Sequence, residues 1–87
     1  MPIVWIPSLL RELTNGQDKL IVPGETVRAV IAHLEERYPG IEARLCEDDR
    51  LRSNIAVVVD GVTSRQRLRQ RLNETSEVHF VPAISGG

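Results

Sequence analysis

One cysteine, three aromatic residues and no long apolar run set the first limits on this 87-residue chain. A lone Cys46 cannot close an internal disulfide, which excludes a stapled secreted scaffold. Trp5, Tyr38 and Phe80 are the only aromatics of the Phe, Trp and Tyr class, so the core must be built from Val, Ile and Leu. No apolar stretch approaches a membrane span, and the amino end lacks a basic region followed by an apolar one. The expectation is a soluble cytoplasmic protein without a membrane partner. Charge of one sign is also missing: 11 basic residues face 12 acidic ones for a net charge of −1. That balance gives no reason to expect nucleic acid as a partner. Cys46, His33 and His79 have no metal-ligand spacing, so no metal is expected. The acidic neighbours Glu47, Asp48 and Asp49 should raise a thiol pKa, which makes Cys46 a structural residue rather than a nucleophile. With no Ser-His-Asp set and no glycine loop for phosphate, the domain is not expected to be an enzyme and binds no cofactor itself.

What is present is one small domain's worth of alternating and periodic apolar patterning. Residues 2–6 read as a strand closed by Pro7, and residues 19–22 as a second strand running antiparallel to it after the Asn15-Gly16 turn. A helical turn at 8–13 between them should send Leu9, Leu10 and Leu13 inward. Val27, Val30, Ile31, Leu34 and Tyr38 form one apolar helical stripe, with Thr26 as N-cap and Pro39-Gly40 as stop. A short helical turn at 41–46 should bury Ile41 and Leu45. Residues 47–53 are charged, lack periodicity and read as a loop. Ile55 to Val59 is a central strand, followed by the Asp60-Gly61 turn and a very short strand at Val62. Residues 77–81 form the last strand, which Pro82 ends. One helix with one stripe requires one sheet to cover it, with the first and last strands adjacent and parallel. The fold class is α+β: a mixed sheet of four to five strands with one main helix on one face.

The chain closes on Ala83-Ile84-Ser85-Gly86-Gly87. At ordinary glycine usage a terminal pair of glycines arises in about 0.5% of chains. A terminal carboxyl has a pKa of about 3.5, is ionised at neutral pH and is a poor electrophile until activated. Glycine leaves the adjacent carbonyl unhindered and lets a tail enter a narrow, water-excluding site. Ala83 and Ser85 keep the approach slim, and Ile84 gives a channel something apolar to grip. Residues 1–82 are expected to form the domain and 83–87 a flexible tail.

Element order, length and this ending together resemble the β-grasp, ubiquitin-like sulfur carriers of the MoaD/ThiS family. The residues that carry the resemblance are the closing strand and tail from Val78 to Gly87, the segment Ile6-Pro7-Ser8-Leu9-Leu10-Arg11 with Gly16-Gln17, Glu25-Thr26-Val27, and Leu34 to Gly40. These last three are most like the carrier of thiocarboxylate-dependent cysteine biosynthesis. The resemblance implies that Gly87 is adenylated at the expense of ATP by a partner of the ubiquitin-activating type. It further implies conversion to a thiocarboxylate and delivery of sulfur to a synthase. That synthase would be cysteine synthase-like, or the large subunit of molybdopterin synthase; carriers for thiamine or another thiolated metabolite stay open. So do two other classes: a ubiquitin-like modifier joined through Gly87 to target lysines, and a plain interaction module.

Two surfaces are candidates for partner docking. The strands are apolar at both parities, so Trp5, Ala56, Val58 and Val81 should point away from the helix as one patch, which in a small monomer marks a binding face. The second is Arg65, Arg67, Arg69 and Arg71, where the family resemblance leads one to expect an acidic or mixed hairpin. This run is read as a docking surface for an acidic patch on a partner, against the simpler reading of a solvated face.

Overall fold

The computed structural model describes residues 1–83. Among the described residues there are seven strands: β1 (Ile3–Trp5), β2 (Lys19–Ile21), β3 (Cys46–Glu47), β4 (Arg50–Leu51), β5 (Ile55–Val59), β6 (Val62–Thr63) and β7 (Glu77–Pro82). The same residues hold two α-helices, α1 (Val27–Arg37) and α2 (Ile41–Leu45), with 3-10 segments at Ser8–Thr14 and Arg67–Arg69. Five strands form one mixed sheet in the order β2-β1-β7-β5-β6. β1 runs parallel to β7, with Val4 beside Val78, and the other neighbours are antiparallel. This is the β-grasp arrangement expected from the sequence.

The helix forms where the stripe predicts it. Thr26 caps α1 by accepting a 3.1 Å hydrogen bond from the Ala29 amide, satisfying one of the donors a helix start leaves without partners. Val27, Val30, Ile31 and Leu34 are all buried, against Val4, Ile6, Leu20, Val57, Val78 and Phe80 from the inner face of the sheet. Tyr38 is only partly buried and packs at the margin of the same cluster. α1 and α2 are joined through Glu35, whose carboxylate accepts hydrogen bonds from the amides of Gly40 and Glu42. Gly24 lets the preceding loop lie against α1: a Cβ there would stand 2.8 Å from the backbone nitrogen of Val30.

Three expectations are corrected. Leu9 does not dip inward; the 3-10 geometry of Ser8–Thr14 turns Leu10 and Thr14 into the protein and leaves Leu9 76% exposed. Residues 47–53 are not simply a loop. β3 and β4 pair as a small hairpin, closed by Asp48 and Asp49 at φ 53° and 64°. Both positions of a two-residue hairpin turn of this hand need positive φ, which aspartate tolerates better than most residues. Ile41 and Leu45 are buried as expected, but Cys46 has already left the helix and opens β3.

Candidate functional site: the end of the sheet and its outer face

The last strand alternates by the simple period of two. Val78 and Phe80 point into the core, while His79 and Val81 point to the outer face. Pro82 still lies opposite Ile55, and the amide of Ala83 donates a 2.8 Å hydrogen bond to the Asn54 carbonyl. Ala83, expected to belong to a flexible tail, is therefore tied to the domain. Ile84, Ser85, Gly86 and Gly87, the remaining tail positions expected to enter a partner, lie outside the described residues. Where β7 ends, Pro7, Leu9, Leu10, Leu45, Ile55 and Pro82 line an open groove of about 340 Å³, with Arg44 and Arg52 beside them.

The outer face carries a cross-strand row. Register places Lys19 beside Trp5, Trp5 beside His79, His79 beside Val58, and Val58 beside Thr63. Val81 and Ala56 form a second, shorter row. Trp5, Ala56, Val58 and Val81 therefore share one side of the sheet, and all four are partly buried rather than fully open. Trp5 is held from three directions. Its ring stacks on His79 at 5.4 Å and 8°, its indole N–H donates to the Glu77 carboxylate at 3.1 Å, and the Lys19 ammonium sits 5.5 Å from the ring. Sequence reasoning did not place His79 in this patch. The signal was available in its parity with Val81, together with the parallel pairing that sets it beside Trp5.

The arginine run is divided between two concavities. Arg65 and Arg71 line a shallow depression with Asp60, Val62 and Thr63 beside β6. Arg67 and Arg69 line a different cleft, opposite Arg28, Arg50 and Arg52. Arg67, counted above as a docking residue, has an internal role. It adopts a left-handed φ of 53°, and its Nη2 donates to the carbonyls of Arg52 (2.9 Å), Ile55 (3.0 Å) and Leu51 (3.3 Å). One nitrogen so placed fastens the connection between β4 and β5.

Cys46 is partly buried beside α2. Burial pushes its thiol pKa up, Glu42 and Asp49 push the same way, and Arg28 and Arg52 pull it back only in part. Removal from water thus leads, and Glu42, four residues earlier, matters more than the acidic residues that follow in sequence. Among the described residues no group of three His, Cys, Asp or Glu side chains could hold a metal ion. No described helix is long and apolar enough to cross a membrane.

Comparison with known proteins agrees with this geometry. The chain is 35% identical over 89 residues to the sulfur carrier protein CysO of Mycobacterium tuberculosis, covering 97% of this chain and 96% of that one. A chain of the solved Amycolatopsis orientalis BexX/CysO complex superposes with a TM-score of 0.91 at 31% identity, each chain covered in full. The small archaeal modifier protein 1 of Methanosarcina acetivorans follows the same fold with a TM-score of 0.81 at 26% identity, covering 99% of this chain and 95% of its own. The sequence matches the ThiS family over residues 4–87, tail included. This chain belongs to the ThiS family.

Proposed function

We propose that the protein carries sulfur on the carboxyl group of Gly87 and delivers it for cysteine biosynthesis. The observation that carries this reading is a family match running through residue 87, on a chain 35% identical to a sulfur carrier over nearly its whole length. In the first step a Gly87 carboxylate oxygen attacks the α-phosphorus of ATP and pyrophosphate leaves. The resulting acyl-adenylate makes AMP the leaving group when a sulfur nucleophile attacks the carbonyl. One carboxylate oxygen departs with AMP, and a thiocarboxylate remains. Both steps need catalytic groups and exclusion of water, which partners supply. The carrier contributes an end slim enough to enter, because Gly86 and Gly87 bring no Cβ near the reacting carbon.

The first partner in this proposal is an adenylating enzyme of the ubiquitin-activating type, and the second a cysteine synthase-like acceptor. The outer-face residues Trp5, His79, Val58 and Val81 form the surface on which those partners seat the domain. Support comes from their grouping beside the strand that leads to the tail. The test is intact-protein mass after incubation with ATP, sulfide and such an activating enzyme. The expected product has one oxygen replaced by sulfur, and removal of Gly87 abolishes it. With a cysteine synthase-like acceptor and an activated serine, that product should then give a cysteine adduct acylated by Gly87, from which hydrolysis releases cysteine and restores the carboxylate. Sulfur transfer instead to the large subunit of molybdopterin synthase would redirect the pathway while leaving the carrier chemistry intact.

A second reading, attachment of Gly87 to lysines of other proteins, draws support from the likeness to the archaeal modifier protein. It begins with the same adenylate. Conjugates that survive thiol reductants on a denaturing gel would favour it over the sulfur reading.

A further inference from the structure

The cleft between the β3–β4 hairpin and the Arg67–Arg69 segment has a charge arrangement that the tail chemistry proposed above does not use. It is an open concavity of about 1000 Å³. Arginines 28, 50, 52, 67 and 69 line it, together with Glu47, Asp48 and Asp49. Two of its acidic residues are already engaged. Asp49 pairs with Arg28 at 3.0 Å, and Glu47 pairs with Arg52 at 2.8 Å. Arg52 is further fixed by the Ala43 carbonyl. Arg50, Arg67 and Arg69 have no carboxylate within 4.0 Å among the described residues, and Asp48 is the one cleft carboxylate without a cationic partner. Three guanidinium groups therefore face one carboxylate.

Arg67 is the centre of this imbalance. It is partly buried, held in a left-handed backbone conformation, and anchored through Nη2 alone to three carbonyls. Its Nε and Nη1 donors have no partner among the described residues. A guanidinium offers five N–H donors, and with Nη2 taken by carbonyls the Nε and Nη1 donors of Arg67 are each left to give a single charge-assisted hydrogen bond to a carboxylate. With one nitrogen anchored, the group loses little further freedom when a carboxylate arrives. Arg50 on the hairpin and Arg69 on the 3-10 segment stand on either wall, both exposed.

We propose that this cleft docks an acidic segment of a protein partner, with a carboxylate on a free N–H donor of Arg67 and flanking carboxylates on Arg50 and Arg69. The proposal does not depend on what Gly87 carries. It replaces a continuous arginine surface by a bounded one that recruits Arg50 and omits Arg65 and Arg71.

The probe is a hexaglutamate peptide titrated into the full chain while arginine side-chain and backbone amide resonances are followed. Saturable shifts should appear at Arg50, Arg67 and Arg69 and leave Arg65 and Arg71 unmoved. Affinity should fall as salt screens the charges over about 8 Å at physiological ionic strength. The double reversal R50E/R69E should weaken binding about tenfold or more, the effect expected of two lost ion pairs set against repulsion. R65E/R71E should change it less than about twofold. Backbone shifts outside the cleft report whether each variant is folded. Equal responses at all four run arginines would overturn the proposal, as would binding insensitive to R50E/R69E in a folded variant. Inorganic phosphate saturating the same resonances more tightly than the peptide would also overturn it, by making the cleft a phosphate site.

Discussion

The two faces of one sheet solve opposite problems with neighbouring residues. On the inner face Val4, Val57, Val78 and Phe80 are at most 3% exposed and packed against the stripe of α1. On the outer face Trp5, His79, Val58 and Val81 are only partly covered, and the largest of them is held by a stack, a hydrogen bond and a cation. The inner residues are held by exclusion of water and close packing, which punish any loss of volume. On the outer face Trp5 is held by directional contacts that keep an aromatic surface in place without hiding it. The face proposed for docking thus lies one residue out of step with the core, on the same strand.

The largest expected effect breaks the inner face. Phe80→Ala should cost about 3–5 kcal/mol through lost burial and the cavity left behind, read as a fall in the urea midpoint. An unchanged midpoint would mean that Phe80 is not a core residue. Next, Gly24→Ala should cost about 1–3 kcal/mol, because the new Cβ meets the α1 backbone at Val30. Loss of stability by the same measurement, with near-native circular dichroism, would separate strain from a misfolded chain.

A smaller stability effect is expected on the outer face. His79→Ala should remove only the stack on Trp5, worth about 0.5–1.5 kcal/mol, and should redden and expose Trp5 fluorescence to quencher. The comparison sharpens if the same variant lowers activation by the adenylating partner while stability barely moves. It breaks if stability falls as far as for Phe80→Ala.

The smallest effect concerns Cys46, at the margin between core and solvent. Its raised thiol pKa keeps it neutral and slow to alkylate near pH 8 compared with a free cysteine. The thiol gives up its proton later in the folded state than in the unfolded one. Its contribution to stability is therefore whole below the unfolded value and declines as pH rises through it toward the folded one. Alkylation as fast as that of a small thiol across this range would show that Cys46 is more open than its surroundings indicate.

Much of this was legible before any coordinates, and the exceptions have physical reasons. The stripe from Val27 to Tyr38 and the run from Ile55 to Val59 are strong because each repeats one geometric period over several residues. The β3–β4 hairpin was missed because each strand is two residues long and its turn uses Asp48-Asp49 rather than a glycine. Leu9 was misplaced because a 3-10 segment rotates each residue further than the α-helical spacing assumed for it. The outer patch was readable by parity as far as Trp5, Val58 and Val81. His79 needed the β1–β7 register to bring it over the indole. Arg67 could not be told from its neighbours, since the carbonyls that hold it lie 12, 15 and 16 residues away in sequence. A chain of alternating arginines does not reveal which one has been captured by the backbone.

The hydrogen bond from Ala83 to Asn54 fixes an origin for everything beyond it. Four residues at full extension reach at most about 14 Å. Any enzyme that acts on Gly87 must therefore bring its reacting atoms inside a sphere of that radius centred on the edge of this domain. If Gly87 is the reacting end, as proposed, the length from Ala83 to Gly87 would act as a ruler: inserting residues there should relax the geometry that partners must satisfy, and shortening it should exclude the deeper active sites first.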